Sequence, residues 1–149
     1  MIDPGSSLPT GLIQAYLDTE YHVDHVDPVE GGGPFILRVG VQSPALMALY
    51  RRHGRFTAAY LTAWNPFSRV ASEDANVGSQ LELTEAVSGL GLPVLPGSGR
   101  DIRGHWPAEP SLLILGSTLD AARALGTRFR QNAFLWCDEA ATPQLVLLR

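Results

Sequence analysis

The sequence predicts an α+β domain: a mixed β-sheet packed with about four helices. Three observations carry this. Apolar runs and turn signals alternate in the order α β β α β α (β) β α β β along the 149 residues. Strands outnumber the crossovers between them, so a purely doubly wound sheet is not expected. The low charged fraction of 17%, with 15 Gly and 11 Pro, fits short elements joined by tight turns. A chain of this length buries roughly 70% of its unfolded surface and needs no metal or disulfide to fold.

Residues 1–9 read as a loose lead-in rich in Pro, Gly and Ser, and residues 10–149 as the domain. Thr10 can cap a helix to about Asp18, with Leu12, Ile13, Tyr16 and Leu17 on one face. Tyr21–Val23 and Phe35–Gly40 are strand candidates around the turn at Gly31-Gly32-Gly33-Pro34. Ser43-Pro44 is a helix start, an acceptor at N-cap and proline at N1, and Gly54 ends that helix. Phe56–Ala63 is the central strand, stopped by Asn65-Pro66.

A helix over about 73–90 follows, capped by Ser72 or Asp74, with Leu81, Leu83, Ala86, Val87 and Leu90 as its apolar positions. Val94–Pro96 is a weak strand, residues 97–104 a Gly-rich loop and Leu112–Leu115 a buried strand. Ser117 and Asp120 resemble a capping box before a helix over 121–129. Ala133–Cys137 and Leu145–Leu148, around the Thr142-Pro143 turn, form a final hairpin.

Composition excludes several functions. The net charge of −4 and pI near 5.5 argue against a nucleic-acid binder. Met1–Gly11 shows no basic-then-apolar signal pattern, and no apolar run reaches the ~20 residues that span a bilayer. A soluble, cytoplasmic protein without membrane contact is the expectation. Cys137 is the single cysteine, set in an apolar run with no cationic neighbour, and reads as buried and inert. There is no G-x-S-x-G elbow, and a chain without lysine has no P-loop lysine. The cluster His22, Asp24, His25 and Asp27 has metal-ligand residue types, but strand geometry turns His25 away from His22 and Asp24, so no metal is expected.

Three polar motifs sit at strand ends. In Thr62–Ser68, Asn65 offers donor and acceptor, Ser68 a hydroxyl, and Pro66 a fixed shape; Asn65 can equally cap its own turn. Glu109, in Glu109-Pro110-Ser111, is the candidate general acid/base, or else half of an ion pair with Arg103 or Arg69. Gln131 and Asn132 present two amides to a planar ligand, or else close the preceding helix. His105 and Trp106, with Arg100 and Arg103, make either a lid over an anion or a plain loop with Trp106 against the core.

These motifs, Thr62-Ala63-Trp64-Asn65-Pro66 with Ser68, Glu109-Pro110-Ser111 and Gln131-Asn132-Ala133, together resemble the bacterial domain-of-unknown-function family numbered 3293. Ala15-Tyr16, Tyr21 and Asn76 fit the same pattern, for a likeness over about 12–148. The resemblance implies a single compact bacterial domain and no particular activity.

Two functions follow. In the first, Thr62, Asn65, Ser68, Asn76, Ser111, Gln131 and Asn132 bind a small polar ligand, nucleoside-like or amino-acid-like, beside Glu109, without a cofactor. In the second, Trp64, Phe67 and Trp106 anchor a protein partner or a homodimer without catalysis. The first requires the motifs to meet in one concave pocket, the second a flat apolar patch.

Overall fold

A computed structural model describes residues 6–24 and 32–149. Residues 1–5 of the lead-in, Gly31 of the glycine turn, and His25 and Asp27 of the His/Asp cluster lie outside the described residues. The elements run α1 (Thr10–Asp18), β1 (Glu20–Val23), β2 (Phe35–Leu37), α2 (Pro44–His53), β3 (Ala58–Leu61), α3 (Glu73–Ser88), β4 (Val94–Arg100), β5 (Glu109–Leu115), α4 (Leu119–Arg128), β6 (Ala133–Cys137) and β7 (Pro143–Leu147). This is the α+β domain with four helices that the sequence predicts.

Local signals set most boundaries. The Ser43 hydroxyl accepts from Leu46 N at 3.1 Å, and Gly54 ends α2 with φ +63°. Ser72 accepts from Ala75 N at 3.1 Å to start α3. Two caps differ from expectation. Pro9 precedes α1 without a side-chain cap, and Thr118 rather than Ser117 caps α4, accepting from Ala121 N. The buried stripe of α3 runs through Asn76, Leu83 and Val87, whereas Leu81 and Leu90 are exposed. Leu81 lies two residues before Leu83, about 200° round the helix from it.

The strand order is β2-β1-β4-β5-β3-β6-β7. Every pairing among the described strands is antiparallel, which corrects the expectation of a mixed sheet. The helices α3 and α4 do not carry the chain between parallel neighbours; β3 instead sits between β5 and β6, antiparallel to both. The two edges curl toward each other: Gly40 N donates to Pro143 O at 2.8 Å and Ser43 N to Ala141 O at 2.9 Å.

Both faces of the sheet are covered. On the concave face α2 packs Leu46, Leu49 and Tyr50 against Ala58, Leu113, Leu135 and Cys137. On the convex face Leu83 and Val87 of α3 and Ala122 of α4 pack against Ala59, Leu61, Ile114 and Phe134. Cys137 is fully buried, and burial pushes its thiol up to about 12, an inert group. Among the described residues no helix is long and apolar enough to cross a membrane.

Of the Gly-rich run 97–104 expected to be a loop, residues 97–100 form the second half of β4, and 101–104 lie outside the strands. Gly97 pairs with both Val23 and Ser111, and Gly99 with both Tyr21 and Glu109. A Cβ on Gly97 would stand 2.1 Å from the backbone oxygen of His22, so only glycine permits this approach. A Cβ on Gly99 would meet nothing closer than 3.8 Å. We therefore expect Gly97→Ala to destabilise the fold by about 1–3 kcal/mol, a Tm lower by roughly 3–10 °C. Gly99→Ala is expected to stay within about 0.5 kcal/mol of wild type. Parallel thermal melts check both.

Candidate functional site

The concave face is filled by α2 at one end only. At the other, α1 lies over the sheet and leaves a cavity of about 290 Å³, close to the smaller ligand pockets of proteins. Sequence alternation builds it. Tyr60 and Thr62 at the end of β3, Glu109 and Ser111 on β5, and Ala133 and Leu135 on β6 all face inward, while Gly99 leaves the space opposite Glu109 open. Tyr16 of α1 and Trp106 of the 101–108 loop also line it.

The loop after β3 is held in an uncommon shape. Asn65, Phe67 and Ser68 have φ of 47°, 55° and 59°, the left-handed region that costs non-glycine residues about 1–3 kcal/mol each. Asn65 is clamped by Asn76 of α3: Asn65 N donates to Asn76 Oδ1 at 2.8 Å, and Asn76 Nδ2 returns a bond to Asn65 Oδ1 at 2.8 Å. Ala71 N donates to the same Asn65 Oδ1 at 3.0 Å. This leaves Asn65 Nδ2 directed at Glu109 Oε1, at 3.1 Å. Asn65 thus closes its own loop and also points a donor at the carboxylate.

Glu109 is half-buried. Among the described residues its hydrogen-bond partner is Asn65 rather than an arginine, and Arg103 instead pairs with Asp18 at 3.5 Å. Burial raises the Glu109 carboxyl above its ordinary 4.5, and the Asn65 bond partly opposes the rise. The Tyr16 hydroxyl shares a short hydrogen bond with the Ser68 hydroxyl. Burial lifts Tyr16 above its usual 10; its bonds to Ser68 and Asn132 oppose that, and the nearby Glu109 charge adds to it. Asn132 Nδ2 supports Ser68 at 3.0 Å, and Arg149 reaches Asn132 Oδ1 at 3.5 Å while its guanidinium lies 4.3 Å from the Phe67 ring centroid.

The structure therefore brings Thr62, Asn65, Ser68, Glu109, Ser111 and Gln131 to one cavity. Asn76 and Asn132 stand behind it, bonded to Asn65 and Ser68. Gln131 also closes α4, its Nε2 donating to Phe129 O at 3.2 Å and Trp64 O at 3.4 Å. Of the aromatic trio, Trp64 and Trp106 line the cavity while Phe67 stacks under Arg149. The anion lid is not formed: Arg100 bonds Ser98, Arg103 pairs with Asp18, and exposed His105 lies 4.0 Å from Asp101.

One residue with no motif of its own completes the site. Gln80 Oε1 accepts from Ala63 N at 2.9 Å and holds the end of β3 to α3. The signal for it was present: Asn76 and Gln80 are two amides four residues apart on the helix stripe that continues with Leu83 and Val87. In the His/Asp cluster, His22 lies 3.2 Å from Glu20, which is 2.5 Å from Arg38. Among the described residues no three metal-ligating side chains come together.

The proton of Glu109 makes stability depend on pH. Because its folded carboxyl keeps its proton to higher pH than the unfolded chain does, its stabilising contribution is complete below the ordinary value and is lost as pH rises through the folded one. Glu109→Gln has no such proton to lose. The stability of Glu109→Gln relative to wild type should therefore increase from about pH 4 to about pH 7, read by urea unfolding of both proteins at each pH. A difference that is flat or falls over that range would be the wrong sign.

No curated protein and no solved structure matches the chain. Residues 61–134 match a family model described as "Protein of unknown function (DUF3293)". The match is narrower than the 12–148 expected: it runs from the last residue of β3 to the start of β6 and leaves Tyr16 and Tyr21 outside. Over the segment that contributes Thr62, Asn65, Ser68, Glu109, Ser111 and Gln131 to the cavity, the chain resembles the DUF3293 family.

Proposed function

We propose that this protein binds a small polar ligand with a flat face, nucleoside-like or amino-acid-like, in the cavity between α1 and the sheet. The observation that supports the reading is convergence. Three motifs separated by 40 and then 19 residues in sequence, Thr62–Ser68, Glu109–Ser111 and Gln131–Asn132, meet around one concave space. A carboxyl hydrogen-bonded to an amide, a hydroxyl pair and aromatic walls are a usual composition for a ligand pocket. Glu109, with its raised proton affinity, is the group for acid/base chemistry on that ligand. The protein-anchor alternative draws less support, since Trp64 and Trp106 face the same cavity instead of forming a flat patch.

A thermal-shift screen of wild type and Glu109→Gln against nucleosides, nucleotides and amino acids tests the proposal. A ligand at 100 times its Kd adds about 2.7 kcal/mol of stability and raises Tm accordingly. The expected result is a hit that Glu109→Gln weakens. A panel without a hit, or one whose hits ignore Glu109→Gln, would count against this pocket.

A further inference from the structure

The polar groups of the cavity are unevenly assigned. Among the described residues seven hydroxyl side chains line it, and five send their protons to backbone carbonyls. Thr19 donates to Ala15 O at 2.7 Å, Tyr21 to Tyr16 O at 2.7 Å and Tyr60 to His22 O at 2.7 Å. Thr62 donates to Pro110 O at 2.6 Å and Ser111 to Glu109 O at 3.1 Å. Their oxygens keep only accepting capacity. The remaining two, Tyr16 and Ser68, share one bond, which uses one of their two protons. Gln131 Nε2 donates to Phe129 O and Trp64 O, and Asn65 Nδ2 directs one of its two protons at Glu109.

Charge is distributed the same way. Among the described residues Glu109 is the one carboxylate on the lining, and no arginine or histidine joins it there. Nearby cations are held elsewhere: Arg103 on Asp18, Arg100 on Ser98, and Arg149 on Asn132 and Phe67. Asn65 is bonded to Glu109 Oε1, and no buried side-chain oxygen among the described residues lacks a partner, so Oε2 is accessible on a residue that lines the cavity. Around it stand Tyr16, Tyr21, Tyr60, Trp64 and Trp106, rings whose faces attract cations.

We propose that the ligand of this cavity presents a cationic or hydrogen-rich nitrogen, an amine, amidine or ring-bound amino group, to Glu109 Oε2, with its flat part against the aromatic wall, and that anionic ligands are rejected. This rests on the small-molecule reading of the cavity. A carboxylate in a partly dry space attracts a cation and repels an anion far more strongly than in water. An ammonium or amidine supplies the protons that the hydroxyl and carboxyl oxygens lack, as charge-assisted bonds. Burial raises the proton affinity of Glu109, and an incoming cation offsets that penalty.

A series matched in shape and differing in charge tests this: phenethylamine, 2-phenylethanol and 3-phenylpropionate, with cytidine against uridine as a pair differing at one amino group. Binding is measured by calorimetry to wild type, Glu109→Gln and Trp106→Ala, each first shown to be folded by circular dichroism. Phenethylamine should bind wild type roughly 10- to 100-fold more tightly than 2-phenylethanol, the range of one charge-assisted bond. Cytidine should exceed uridine, and 3-phenylpropionate should show no binding. Glu109→Gln should bring the amine and the alcohol to parity. Trp106 is 39% exposed, and Trp106→Ala should weaken amine and alcohol together. Equal or tighter binding of the alcohol or the anion to wild type would overturn the inference. So would no binding across this series while a nucleotide or an acidic amino acid binds in a Glu109-dependent way, an outcome that leaves the pocket itself standing. Silence across both sets of ligands overturns the pocket reading along with it.

Discussion

A loop with three non-glycine residues at positive φ does not hold its own shape. Asn65, Phe67 and Ser68 each carry a backbone penalty of about 1–3 kcal/mol. The opposing interactions come from outside the loop, and the foremost is the reciprocal pair of bonds between Asn65 and buried Asn76. It fixes the loop to α3 and leaves Asn65 Nδ2 aimed at Glu109. Phe67 N bonds Arg130 O at 2.7 Å and Ser68 is held by Asn132, so the far side of the loop is tied to the α4–β6 connection. One strained loop thereby ties α3, from behind, to a cavity lined by β5 and β6.

The sheet supplies the space. Gly97 lets β1 lie close on β4, which allows the Tyr60 hydroxyl to reach His22 O. Gly99 leaves an empty position opposite Glu109. With α2 covering only one end of the curled face, α1 closes the other from above, and Asp18 at its end ties down the 101–108 loop through Arg103. The same arrangement separates charge. Cations are paired at the rim or beyond it, and the carboxyl of Glu109 remains inside with an amide as its partner.

Most elements were legible because their signals are local. Ser43-Pro44 and Ser72 cap as read, and the apolar runs at 58–61, 112–115 and 133–137 are strands. Direction of pairing was not legible, since the same apolar run serves parallel or antiparallel neighbours. Nor was the strand through Gly97–Arg100: glycine looks like a loop locally, and its purpose, room for His22 O, lies some 75 residues away in sequence. At the site, the motif residues were visible as polar types at strand ends, but not which would line the cavity and which would brace it. Asn76 and Asn132 brace, and Gln80, inside a helix with no turn or cap near it, gave only the faint signal of an amide on an apolar stripe.

The claim at the centre is that Asn65 and Asn76 act as one unit. A double-mutant cycle of Asn65→Ala, Asn76→Ala and the pair, by urea unfolding, measures this directly, because the backbone cost of alanine at position 65 is common to both arms. The expected coupling is about 1 kcal/mol or more, with the two single losses together exceeding the loss in the double variant. Losses that add to within about 0.5 kcal/mol would contradict it, and would mean that the loop and the carboxyl beside it are held by something other than this pair.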